Sequence, residues 1–179
     1  MGAENNAKGG NKGVVMNLIL GTANFNRDGY GKRLEKDECF KFLDRAKELG
    51  IKTIATAFDY GIGIASEYGW EDILHKASPG LLVWGDKVGK TLNVPEIVEF
   101  NSLIMAPFNP LNYSFVNWVS WPLFIARSIF CGGRLQRSNK EDVARICFGF
   151  LKSHGVKNCV FGVESIEELE LNVRIALEE

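Results

Sequence analysis

The sequence has no surplus of basic charge, only two histidines, no Cys-x-x-Cys pair and no apolar run long enough to span a bilayer. Lys plus Arg number 21 against 22 Asp plus Glu, for a formal net charge of -1. That balance removes the pull towards phosphate backbones or anionic lipid, so neither nucleic acid nor a membrane is an expected partner. The longest apolar stretches, such as 121–130, are broken by Pro122 and Arg127 and fall short of the roughly 20 residues a transmembrane helix needs. Cys39, Cys131, Cys147 and Cys159, with two histidines to assist them, suggest neither a zinc cage nor a disulfide framework. The expectation is reduced, mostly buried thiols in a cytoplasmic protein, with no bound metal. Residues 1–14 lack the apolar centre of a secretory signal and read as a flexible leader.

What is present is an ordinary globular balance, 46% hydrophobic and 24% charged, enough for one substantial core. From residue 17 onward, short β-type runs alternate with segments of helical period. This alternation predicts an α/β fold with parallel strands. Strands are expected at 18–20, 51–57, 81–84, 99–106, 122–130 and 156–163. The clearest helix spans 35–49, where Cys39, Phe42, Leu43, Ala46 and Leu49 recur at helical spacing and Gly50 follows as a C-terminal cap. Further helices are expected at 65–76, 140–152 and 165–177, the last with Ser165 at its N-cap and Glu167 and Glu168 in its first turn. No linker divides the pattern, so residues 15–179 are expected to form one domain. A complete (β/α)8 barrel uses about 31 residues per unit, and this length accommodates five or six units. The predicted architecture is therefore an incomplete or shortened TIM-type (β/α) barrel of about six parallel strands.

Several short segments resemble the aldo-keto reductase family, in the order in which that family has them. Leu20-Gly21-Thr22-Ala23 is similar to the family's first strand, and residues 50–61, ending in Asp59-Tyr60-Gly61, to its second. Trp84-Gly85-Asp86-Lys87 resembles the third. Pro107-Phe108-Asn109-Pro110-Leu111-Asn112 resembles the exit of the sixth, and Ala126-Arg127-Ser128-Ile129-Phe130 the seventh. Val160-Phe161-Gly162-Val163-Glu164-Ser165, with Asn172, resembles the cofactor-binding end. The series lacks the region between the third and sixth strands, as if two βα units were absent.

The resemblance implies hydride transfer from NADPH to a small carbonyl compound or sugar derivative. It implies Tyr60 as the acid that protonates the developing alkoxide and Lys87 as the ammonium that lowers its pKa. Tyr60 taken alone reads as a rim tyrosine, and Lys87 as a solvated strand-end lysine. For the cofactor, the resemblance implies Arg127 and Ser128 lining the cleft, Gly162 and Ser165 at a phosphate-binding helix N-terminus, and Asn172 against the adenine. Two departures weaken the assignment. Ala55 stands where the family has the aspartate that pairs with the lysine, and the strand that would carry the substrate-orienting histidine is missing. Leu171 and Glu164 should weaken nucleotide binding further. Three readings follow: a shortened NADP-dependent oxidoreductase; a catalytically inactive descendant serving as a binding or assembly module; and a homodimer in which two chains complete each other's barrels.

Overall fold

The alternation of β-branched runs and amphipathic segments becomes strands and helices in a computed structural model, which describes residues 16–23, 25, 34–56, 62–75, 82–83, 104–135 and 139–178. In chain order the elements are β1 (Asn17–Gly21), α1 (Lys36–Glu48), β2 (Thr53–Thr56), α2 (Ile62–Tyr68), β3 (Asp72–His75) and β4 (Leu82–Val83). There follow β5 (Ile104–Pro107), β6 (Phe124–Arg127), α3 (Lys140–Ser153), β7 (Asn158–Phe161) and α4 (Ile166–Leu177). The sheet order is β3-β2-β1-β7-β6-β5-β4, and every pairing is parallel. Successive strands are neighbours, β3 and β4 excepted, and β7 returns to β1. Among the described residues this is the cyclic order of a (β/α) barrel, with β3 and β4 as the two outermost strands.

Period-2 alternation sends side chains to two different cores. Leu18, Leu20, Ile54, Ala106, Phe124, Ala126, Cys159 and Phe161 face the helices, meeting Phe42 and Leu43 of α1, Phe148 and Leu151 of α3, and Leu169 and Val173 of α4. Ile19, Ala55, Met105, Ile125 and Val160, with Leu74 packed against them, form a second apolar layer on the opposite, interior face. The helices are locally capped. The Glu35 N–H donates to the Glu38 carboxylate at 3.0 Å, Asn139 accepts from Glu141 N at 3.0 Å, and Ser165 accepts from Glu168 N at 3.2 Å. Gly21 lets β1 approach β7 closely, because a Cβ there would lie 3.2 Å from Val160 Cγ1 and 3.3 Å from the Phe161 carbonyl oxygen, tighter than ordinary contact.

Two expectations are corrected. The helix read over 65–76 ends at Tyr68, where Gly69 turns the chain at a φ of +76°. Asp72–His75 is instead a strand in register with β2, Thr53 opposite Asp72 and Ala55 opposite Leu74. The Thr53 hydroxyl donates to the Asp72 carboxylate, and the Trp70 indole N–H donates to the Lys52 carbonyl at 2.9 Å. Pairing with a buried neighbour overrides a weak helical period. The strand read over 122–130 is confined to Phe124–Arg127, because Ser128 leaves it with a φ of +51°. Among the described residues the sheet thus holds seven strands, β3 joining the six expected. Leu82 and Val83 pair with Ile104 and Met105, whereas Trp84-Gly85-Asp86-Lys87, which resembles the family's third strand, lies outside the described residues.

Candidate active site at the carboxyl ends of the strands

A wholly parallel sheet delivers all its strand exits to one side, which is where barrels and open α/β sheets place their sites. At the exit of β1, Thr22 is fully buried and its N–H and hydroxyl both reach the Ala55 carbonyl, at 3.0 and 3.3 Å. This ties the ends of β1 and β2. At the exit of β6, Arg127 lies opposite Pro107 and shares the interior face with Ile125 and Met105. Its side chain is thus held at the mouth of the interior, only 8% exposed, with Nη1 donating to the Ser128 hydroxyl at 3.1 Å. A guanidinium at a strand exit can take part in charge-assisted hydrogen bonds to an anionic group.

The exit of β7 adjoins that of β6, Ala126 lying opposite Cys159. Gly162 follows β7, and Ser165 caps α4, its hydroxyl already engaged by Glu168 N. The Glu168 carboxylate accepts from Glu164 N at 3.0 Å and pairs with Lys140 at 3.4 Å. Glu167 has its carboxyl pushed below the usual range, first by its own amide and then by the Ser165 hydroxyl. The positive end of the α4 dipole therefore already meets two of the chain's own carboxylates. Asn172 lies on the buried side of α4, 2% exposed, and its Nδ2 has no hydrogen-bond partner among the described residues.

The structure thus brings Arg127, Ser128, Gly162 and Ser165 to neighbouring strand exits, with Asn172 two turns along the adjoining helix. Tyr60 and Lys87, the expected catalytic pair, lie outside the described residues. Ala55, at the position of the family aspartate, is 1% exposed in the apolar interior layer. Sequence reading missed Asn109, which is 4% exposed and joins the exits of β5 and β6. It lies in the proline-flanked turn that resembles the exit of the family's sixth strand, where nothing in the sequence singled it out from its neighbours.

No family model matches the chain, and no curated protein matches it. Solved structures do. Two, both assigned as aldo-keto reductases from Pseudomonas aeruginosa, superpose with TM-scores of 0.62 and 0.59. The first covers 90% of this chain and 89% of its own at 14% identity, the second 90% of each at 16%. The fold is that of the aldo-keto reductases. At such identities the likeness speaks for architecture alone.

Proposed function

We propose that the chain is an NADP-dependent oxidoreductase of aldo-keto reductase type, weakened in cofactor affinity, acting on a small carbonyl compound or sugar derivative in the cytoplasm. The observation that carries this reading is Arg127, a cation sheltered at the mouth of the interior and hydrogen-bonded to Ser128. The residues present fit a dinucleotide in part. Arg127 and Ser128 would take phosphate, the unpartnered buried amide of Asn172 offers a donor, and the carboxylates around Ser165 oppose a second phosphate. NADPH, when bound, supplies the hydride for a carbonyl carbon. On this reading Tyr60 donates the proton to the oxygen, and Lys87 keeps the phenol acidic enough to do so near neutral pH.

The test is an NADPH titration read by tryptophan fluorescence, followed by turnover of an aldehyde panel. Arg127→Met should weaken binding about tenfold or more, the loss of one sheltered charge-assisted contact. Tyr60→Phe should abolish turnover while sparing binding. No quenching at millimolar NADPH, or turnover unchanged in Tyr60→Phe, removes the reading.

Ala55 favours a second one, a catalytically inactive descendant kept as a binding or assembly module. Its methyl group sits among Ile19, Met105, Ile125 and Val160 and cannot itself orient an ammonium. Loss of one member of a cooperating catalytic set costs orders of magnitude in rate. NADPH binding without turnover on any aldehyde would select this reading. For either, a homodimer in which two chains complete each other's barrels is the assembly we propose, β3 and β4 being the outermost strands among the described residues.

A further inference from the structure

The exit of β6 is held in a conformation that its own residues disfavour. Ser128 and Cys131 have φ values of +51° and +58°, the left-handed region that residues other than glycine avoid. Such a backbone persists only where its surroundings over-determine it. The side chain of Asn109 touches both residues. Its Nδ2 donates to the Ser128 carbonyl at 2.8 Å, and its Oδ1 accepts from the Cys131 thiol at 3.4 Å and from Leu111 N at 3.0 Å. The Ser128 carbonyl takes a second hydrogen bond from Cys131 N at 3.1 Å. Asn109 is itself fixed by reciprocal 2.9 Å backbone bonds with Asn112, and Phe108 N donates to the Arg127 carbonyl at 3.2 Å. One buried carboxamide thus joins the ends of two neighbouring strands and the turn that follows.

We propose that Asn109 is a positioning residue for the cofactor cleft, clipping the β6 exit so that the Arg127 guanidinium and the Ser128 hydroxyl are presented together to an oxyanion of the nucleotide. This rests on the NADP-dependent reading above. Without the Nδ2 donor, the Ser128 carbonyl loses the bond that stabilises its left-handed turn, and the serine relaxes towards ordinary backbone. The hydroxyl then leaves Nη1 of Arg127, and the released Cys131 thiol becomes reachable from solvent.

The test uses the full chain with Asn109→Ala and Asn109→Asp. NADPH binding is titrated by tryptophan fluorescence at about pH 8 and about pH 5, and alkylation of Cys131 by iodoacetamide is followed by peptide mass spectrometry without cofactor. Peptide mass spectrometry reads Cys131 separately from Cys39, Cys147 and Cys159, whose thiols are pushed up chiefly by burial, Cys39 to about 11.

Asn109→Ala should bind NADPH about tenfold more weakly at both pH values and label Cys131 faster. Asn109→Asp should match it at the higher pH, where a carboxylate faces the Ser128 carbonyl. At the lower pH it should recover towards the parent, because a protonated carboxyl can donate to that carbonyl. A role confined to stability would not produce recovery in one variant alone. Binding equal to the parent in both variants, or an aspartate penalty identical at the two pH values, overturns the proposal. If the parent chain binds no NADPH, the nucleotide reading fails separately. Labelling then decides the clip: faster in the variants upholds it, and unchanged rejects it.

Discussion

Replacing Ala55 by aspartate distinguishes an active site from a retired one. The methyl group is 1% exposed and its layer is composed of Ile19, Met105, Ile125, Val160 and Leu74. A carboxyl placed there without a partner is desolvated, which raises its pKa by up to about 3–5 units from about 3.9. Its folded pKa then exceeds the unfolded one. Stability is thus lost as pH rises above about 3.9, and the loss grows until the pH passes the raised value. Near pH 7 it comes to about 4 kcal/mol, three units at about 1.4 kcal/mol each, and it vanishes near pH 4. The steric part of the change does not vary with pH. If the Lys87 ammonium stands beside position 55, as the family resemblance implies, the carboxylate is favoured instead. The neutral-pH loss then shrinks to about 1 kcal/mol or less, and aldehyde reduction rises. Urea unfolding at about pH 4 and about pH 7, with NADPH oxidation measured alongside, reads both quantities. A variant as stable as the parent at both pH values and no more active would refute the argument, because neither a dry interior nor a nearby ammonium produces that result.

Four further outcomes are expected. Gly21→Ala should lower stability by about 1–3 kcal/mol in thermal melts, since its Cβ would crowd Val160 and the Phe161 backbone. Phe148→Ala should cost about 3–5 kcal/mol, the ring being fully buried and packed edge-on against Phe130 and Phe161 at 5.7 and 6.3 Å. Glu141 and Glu178 both have carboxyl pKa values lowered, chiefly by hydrogen bonds from Arg145. Their contribution is present above the ordinary carboxylate pKa and is lost as pH falls through the lowered values, so Glu141→Gln/Glu178→Gln should flatten the acid limb of the stability profile. Gel filtration at two concentrations should give a dimer, and a stable monomer at both would reject that assembly.

Periodicity carried most of the architecture, and the places where it failed have a common cause. The apolar face of α1 follows from the spacing of Cys39, Phe42, Leu43 and Ala46, and the α4 start from Ser165 with its two glutamates. These signals are local, and each is complete within one turn or two. The strand at Asp72–His75 carried no such signal. Its identity depends on Thr53 and Ala55 lying in register with Asp72 and Leu74, a relation between segments that a period cannot encode. The same limit applies at the site. Arg127 and Ser128 were found through family resemblance. Asn109 escaped because its importance lies in contacts with Ser128 and Cys131, both about twenty positions away in sequence.

The cofactor end shows how a correctly read local motif can carry two opposed functional meanings. Ser165 followed by Glu167 and Glu168 is what a helix start requires, and a helix start is what a phosphate requires. Both ligands compete for the same amides. Here Ser165 takes Glu168 N, Glu168 takes Glu164 N and Glu167 takes its own amide, so folding has already claimed the donors a nucleotide would use. Removing one of those carboxylates should therefore favour the nucleotide at some expense to the helix. Glu167→Gln is expected to tighten NADPH binding about two- to fivefold, the reach of a charge at a helix end of 0.3–1 kcal/mol, while slightly lowering the melting temperature. Should the substitution leave binding unchanged, phosphate does not approach α4 at all, and whatever affinity remains belongs to Arg127 and Ser128.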